Sequence, residues 1–440
     1  MENSKLSHIS SWNLQTNLSR VFVPAVLVIA LIAGAASSAR AGDFNHFGQH
    51  WVASWQGSPM TGGTFFSPGC PSDVGLTNQT VRNVVYLSAG GSEVRVRISN
   101  AFGAAPLNVG QATVAISAGG AAIVPGTLRK LTFDGETSIT VAADSEVLSD
   151  PVHLVISSLS TLDISIFLPD STGLSTQHFL AQQTNYIGSG NLAANVDGSG
   201  LTQQISCWMF LSGVDVLTSP KVRGALVTLG DSITDGYLST ANTNRRFPDV
   251  ISRRLAALRG ETLSVSSAAI TGNELLTNRP TFPQFGVPAA ARLGRDVLLQ
   301  PGVKAVILLE GINDIGDVGT TADVLIAVDQ QIIRACHNAG IKIYGGTLTP
   351  FGGSNTIYGG FYGTPFGEEQ REKLNDWIRT SHAFDGVIDF DRALRDPANP
   401  ENLLPAYVGD PLHPNDAGYQ AMGNLVNLNR ILHDIDNGPW

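Results

Sequence analysis

The stretch Ala225-Leu226-Val227-Thr228-Leu229-Gly230-Asp231-Ser232-Ile233-Thr234 decides how the second half of this chain folds. A short, almost wholly apolar run is the mark of a strand buried on both faces. Gly230 and Asp231 then turn the chain, and Ser232 lands on that turn. Gly311-Ile312-Asn313-Asp314 repeats the arrangement after the apolar run 306–309. Near the C-terminus, Asp410-Pro411-Leu412-His413 sets a carboxylate and an imidazole three residues apart. A serine, a histidine, an aspartate and an amide donor, each at a chain turn, are the parts of a serine esterase.

Working outward from this stretch, apolar runs alternate with helical periods. Strands are predicted over 225–229, 263–267, 304–309, 341–344 and 387–390, and helices over 248–258, 289–299, 322–338, 368–381 and 416–432. That alternation implies a mainly parallel sheet with helices on both faces. Ligands of such sheets sit beyond the carboxyl ends of the strands, where Ser232 and Asn313 fall. From 43 to 222 the period is that of strands. Glu93-Val94-Arg95-Val96-Arg97-Ile98 alternates cleanly, and further β-like runs occur at 81–87, 112–116, 138–141, 153–156 and 162–168. Gly, Pro, Asn, Asp and Ser punctuate them, as in an all-β sandwich or jelly roll. The expected organisation is a signal segment over 1–41, a β-sandwich domain over 42–222 and an α/β domain over 223–440.

The signal is read from Lys5 and Arg20, the apolar stretch 21–36, and the cleavage site Ala39-Arg40-Ala41. The stretch is short for a bilayer span, which takes about 20 residues. A cleaved signal and a secreted product without stable membrane insertion are therefore expected, with an uncleaved anchor as the alternative. A net charge of −10 argues against nucleic acid or an anionic membrane as the main partner. Of three cysteines, Cys336 falls on the i+4 stripe Val324, Val328, Ile332, Cys336 and reads as a buried helix residue. That leaves Cys70 and Cys207 as the disulfide an oxidising compartment permits, against the alternative of two separate thiols. No CxxC or HExxH motif is present, so no metal or other cofactor is expected.

A serine hydroxyl needs a base, and His413 is the candidate for Ser232. Asp410 can hold the other ring nitrogen from the same turn. The oxyanion of an acyl-transfer intermediate needs donors. The Ser232 N–H and the Asn313 amide are available. Gly272, in Ala269-Ile270-Thr271-Gly272-Asn273, is equally readable as a third donor or as an ordinary turn glycine. Asp231, Asp235, Glu310 and Asp314 are read as structural, as are His153, His178, His337, His382 and His433, which lack a matching acid and serine. Trp51 and Trp55 are read as core of the β domain, with a sugar-stacking platform as the alternative.

These residues resemble the SGNH (GDSL-type) hydrolase superfamily. Gly230-Asp231-Ser232-Ile233-Thr234 looks like its nucleophile block, Gly272 stands at its second-block glycine, and Gly311-Ile312-Asn313-Asp314 looks like its GxND block. Asp410-Pro411-Leu412-His413-Pro414 looks like its DxxHP block, with Pro411 where glycine is expected. The resemblance implies a flavodoxin-like α/β/α domain and metal-free ester hydrolysis. It implies catalytic roles for Ser232, Asp410 and His413, and an oxyanion hole of Ser232, Gly272 and Asn313. Trp51-Val52-Ala53-Ser54-Trp55, Ser99-Asn100-Ala101-Phe102-Gly103 and Asp396-Pro397-Ala398-Asn399-Pro400 are similar to its secreted two-domain subgroup. The expected substrate is a small-molecule or polysaccharide ester, first of all acetyl or short acyl esters on carbohydrate. A lysophospholipase or short-chain lipase is the alternative, and a carbohydrate-binding protein with an inactive hydrolase half is the alternative from another class.

Overall fold

The computed structural model describes residues 48–63, 69–71, 73–279 and 282–437. The expected signal segment, 1–41, lies outside the described residues. The clean alternation around residue 95 forms the strand Gly91–Asn100, at the middle of a five-stranded antiparallel sheet with His50–Gln56, Leu211–Thr218, Ser145–Leu148 and Val152–Ile156. A seven-stranded sheet runs beside it, centred on Gln79–Tyr86, Thr161–Leu168 and Gln111–Gly119. Its central register pairs Thr161 with Tyr86 and Leu168 with Gln79 without a slip. The inward residues of both sheets, among them Val94, Val96 and Val216 of one and Val81, Ile164 and Val114 of the other, share a single apolar core. Trp55 belongs to that core and Trp51 is buried. Cys70 and Cys207 are joined by a disulfide with their Cα atoms 6.2 Å apart, and Cys336 is a buried free thiol.

The second half builds a parallel five-stranded sheet in the order Thr262–Ala269, Val222–Gly230, Val303–Leu309, Lys342–Gly346, Gly386–Ile388. Counted along the chain this is 2-1-3-4-5, the flavodoxin-like winding. Residues 225–230 of the first strand are all buried, so helices must cover both faces. Phe247–Ala256 packs with Asp416–Leu425, and Ala322–Asn338 packs with Pro365–Thr380. The winding reverses between Val222–Gly230 and Val303–Leu309, and the two strands lead into the short helices that begin with Ser232 and carry Asn313 respectively.

The β-rich part and the parallel sheet form one compact unit. The strand Thr262–Ala269 is an edge of its own sheet, and its exposed backbone is partly taken up by the other half: Val265 N–H donates to Ser88 Oγ at 2.8 Å. Ala53 N–H donates to Pro301 O at 3.0 Å, and Gln56 Nε2 to Asp296 O at 3.0 Å.

Four expectations need correction. The helix expected over 416–432 is two helices, Asp416–Leu425 and Leu428–Asn437. Val426 is extended at ψ 122°, and the Asn427 side chain accepts the Arg430 N–H, starting a second helix. The strand expected over 387–390 ends at Ile388, because the Asp389 side chain caps the helix Phe390–Leu394 through Arg392 N–H. The helix expected over 289–299 is α-helical only over Ala289–Leu293. It widens at Gly294, whose carbonyl accepts the Leu299 N–H five residues on. Val324 does not share the burial of Cys336 and is 47% exposed, because a strict i+4 row drifts about 40° per step round a 3.6-residue helix and its first member falls off the face buried by Ala322, Leu325, Val328 and Ile332.

Candidate active site

Gly230 ends its strand with no room for a side chain, since a Cβ there would meet Thr234 Oγ1 at 2.0 Å. Asp231 caps the short helix Ser232–Asp235 by accepting Ile233 N–H at 2.9 Å, and Gly236 ends it in the left-handed region at φ 79°. This one-turn helix holds Ser232, which is buried, with its Oγ 2.8 Å from His413 Nε2. His413 Nδ1 lies 3.0 Å from Asp410 Oδ2 and 3.1 Å from Oδ1. Asp410 Oδ1 also accepts Leu412 N–H at 2.8 Å and His413 N–H at 2.7 Å, so the turn closes on its own carboxylate. Pro411 has no N–H to offer and none is used. The three side chains thus form one hydrogen-bonded chain, able to carry a proton from Oγ to Nε2 while the carboxylate steadies the ring.

The His413 ring is held edge-on by Tyr237 and Tyr358, with centroids 4.8 and 5.6 Å away. The Tyr358 hydroxyl donates to Asp410 Oδ2 at 2.6 Å. Burial alone would raise the Asp410 carboxyl, but the hydrogen bonds and charge of His413, with the Tyr358 hydroxyl, hold it well below the usual carboxylate range. Sequence reasoning missed Tyr358. It lies on a short helix, Asn355–Tyr358, between glycines, and no motif marks it.

Gly272 follows the strand Thr262–Ala269 at φ +77°, and a Cβ there would meet the Phe285 ring at 2.3 Å. Only glycine fits, for reasons of both conformation and space. Ile270 N–H donates to Gly230 O at 3.0 Å and ties this loop to the nucleophile turn. Among the described residues, neither the Ser232 N–H nor the Gly272 N–H is taken up by an acceptor. The Asn313 amide is oriented from both ends. Tyr362 Oη donates to its Oδ1 at 2.7 Å, and its Nδ2 donates to Asn273 O at 2.8 Å, leaving one amide hydrogen for a ligand.

The acids read as structural do hold backbone. Asp314 accepts Leu275 N–H at 2.7 Å and Leu276 N–H at 3.0 Å, pinning the Gly272 loop to the helix Ile312–Val318. Burial pushes Asp314 up to about 6 and Asp231 up to about 7, and burial raises Glu310 well above its ordinary value. Behind them, the fully buried Arg292 donates to Ala268 O at 2.6 Å and Asn273 Oδ1 at 2.9 Å, with Glu310 at 3.5 Å. Three histidines read as lacking an acidic partner have one: His178 has Asp235 at 3.1 Å, His337 has Asp385 at 2.9 Å and His433 has Asp434 at 3.5 Å, and of these only His178 is buried. Among the described residues no cluster of His, Cys, Asp and Glu could hold a metal ion.

Residues 228–421 match the GDSL-like Lipase/Acylhydrolase family. This half of the chain is accordingly a GDSL-like domain of the SGNH superfamily, and the protein is an ester hydrolase. No curated protein matches the chain. Among solved structures it is similar to a GDSL-like lipase from Bacteroides thetaiotaomicron VPI-5482, at 18% identity over 47% of this chain and 88% of that one, with TM-score 0.36. It is similar to a carbohydrate acetylesterase family member from Sinorhizobium meliloti, at 18% identity over 48% and 98%, with TM-score 0.38. The aryl esterase of M. smegmatis is a third, at 15% identity over 46% and 95%, with TM-score 0.34. Likenesses this low carry no argument about substrate.

Proposed function

We propose that this protein is a secreted serine esterase that works through an acyl-enzyme, first of all on acetyl or short acyl esters of carbohydrates. The observation that carries the mechanism is the chain Ser232 Oγ, His413 Nε2, His413 Nδ1, Asp410, closed by hydrogen bonds of 2.8 and 3.0 Å. Ser232 Oγ attacks the ester carbonyl and its proton passes to His413 Nε2. The carbonyl oxygen, now anionic, is met by the N–H groups of Ser232 and Gly272 and by the Asn313 amide. The C–O bond to the alcohol breaks and the departing oxygen takes the proton from His413. Water then attacks the acyl carbon, giving its proton to His413; the acyl C–Oγ bond breaks as Ser232 Oγ takes that proton back, and the free acid leaves.

A short acyl group suits a nucleophile buried to 3% exposure, with the Tyr237 and Tyr358 rings against His413 and the Phe285 ring against Gly272. The lysophospholipase or lipase reading draws on one feature: Ile357, Tyr358 and Phe361 are exposed by 59, 38 and 40% on the segment whose Tyr358 bonds Asp410. The carbohydrate-binding reading with an inert hydrolase half has against it an intact hydrogen-bonded chain. Ser232→Ala is expected to abolish hydrolysis of p-nitrophenyl acetate and labelling by a fluorophosphonate. Wild-type turnover in that variant would defeat the mechanism. A kcat/KM panel of acetylated glycans against lysophospholipids decides the substrate class, and preference for the lipids would displace the carbohydrate reading.

A further inference from the structure

We propose that the β-rich part is a working wall of the active site, in which His178 acts through Asp235 and Thr271 to set the position of Gly272 relative to Ser232. His178 ends the strand Thr176–His178, which pairs with Met60–Thr61 and with Trp208–Met209, all in the first half of the chain. Its ring is 2% exposed. Nδ1 faces Ser58 O at 3.0 Å and Nε2 faces Asp235 Oδ1 at 3.1 Å. A carboxylate can only accept, so the ring donates to Asp235 from Nε2.

Asp235 stands on the same helical turn as Ser232, three residues on. Its other oxygen, Oδ2, accepts the Thr271 N–H at 3.1 Å and the Thr271 hydroxyl at 2.7 Å. One buried carboxylate therefore spans from the nucleophile helix to the residue before Gly272, and its far oxygen is held by a side chain from the other half. Burial alone would raise this carboxyl; the charge and hydrogen bond of His178, with Arg246 and Thr271, hold it below its ordinary range, so it remains an acceptor.

A second, apolar line reaches the same glycine. Phe179, next to His178, packs against Phe285 with centroids 6.1 Å apart, and the Phe285 ring fills the place a Gly272 Cβ would take. Met60, Phe179 and Ile270 form a small core of their own with Phe285 against it. A polar link and a packing link, both from the β-rich part, thus converge on the loop that offers the Gly272 N–H. Oxyanion donors act only when held at the place where charge develops, and a displacement of a fraction of an ångström weakens them. His178 is a positioning residue, and this inference rests on the proposed roles of Ser232 and Gly272.

The test uses the full chain with p-nitrophenyl acetate and the variants His178→Ala, His178→Gln and Thr271→Val. In His178→Ala and Thr271→Val, kcat should fall about tenfold with KM within about twofold, since the loss falls on the transition state. Affinity for a phenylboronic acid, which mimics the tetrahedral adduct, should fall by a similar factor. His178→Gln, which keeps a donor toward Asp235, should recover most of kcat. Thr271→Val decides the matter should His178→Ala fail to fold, since it removes one hydroxyl and keeps the shape. Folded variants whose kcat and boronate affinity stay within twofold of wild type would overturn the proposal, even with a lowered Tm. Ser232→Ala run alongside separates the two claims: an inactive Ser232→Ala with an unimpaired Thr271→Val sinks the positioning role alone, whereas an active Ser232→Ala sinks both.

Discussion

The Tyr358 hydroxyl donates to Asp410 Oδ2 at 2.6 Å, the same oxygen that His413 Nδ1 approaches at 3.0 Å. The carboxylate that steadies the imidazole is thus shared with a phenol from a different loop. A carboxylate with an extra donor holds a positive ring less tightly. Tyr358→Phe removes that donor and keeps the ring. Its kcat should fall about two- to fivefold, because Asp410 loses a hydrogen bond that orients it. Wild-type kcat in this variant would assign Tyr358 to packing alone.

Asn313→Ala should lower kcat by about 10²–10³, with KM little changed, because the amide acts where negative charge develops. Tyr362→Phe should lower kcat by less, about three- to tenfold, since the Asn273 carbonyl still orients the amide. Equal effects in the two variants would mean the phenol, and not the amide, meets the substrate.

Stability should fall as pH rises from about 4 to 8. Burial pushes Asp163 up to about 7, with Ser117 and Arg82 opposing. A carboxyl raised in the folded state keeps its proton where the unfolded chain has released it, so its stabilising effect is full below about 4 and lost as pH rises through the folded value. Asp231 at about 7 and Asp314 at about 6 act in the same direction. Asp163→Asn removes one titration without changing shape, and should flatten the decline by on the order of a few kcal/mol in urea unfolding between pH 5 and pH 8. An unchanged slope would show that Asp163 is ionised in the native protein.

Reduction should destabilise the β-rich part. The bridge between Cys70 and Cys207 spans a sequence separation of 137, and such closures contribute about 2–4 kcal/mol in typical cases. Cys336, whose thiol burial pushes up to about 12, should stay unalkylated until the chain unfolds. Peptide mapping after alkylation reads both, and three alkylated cysteines in the unreduced, unfolded protein would exclude the bridge.

The strands of the parallel sheet were legible because they are buried on both faces and read as apolar runs with few rivals. The positions of Ser232, Gly272, Asn313, Asp410 and His413 were legible because each sits on a short motif at a strand end or turn. What was not legible depends on partners far away in the chain. Tyr358 meets Asp410 only because two loops cross. His178 gains Asp235 only because the two halves of the chain close on each other, and nothing near residue 178 marks it. The split of the helix expected over 416–432 was visible in principle. Asn427 is a good cap residue, yet the apolar pattern on either side ran through it.

The bond from Val265 N–H to Ser88 Oγ has a practical outcome for anyone dissecting this enzyme. Residues 223–440 look like a free-standing catalyst that could be trimmed out. Expressed alone, that fragment would bare the rim of Thr262–Ala269 to water, with unmet backbone groups inviting another chain to zip onto it. It would also strip the polar and aromatic props from the loop of Gly272. Trimming the chain at residue 223 therefore calls first for a redesign of that rim.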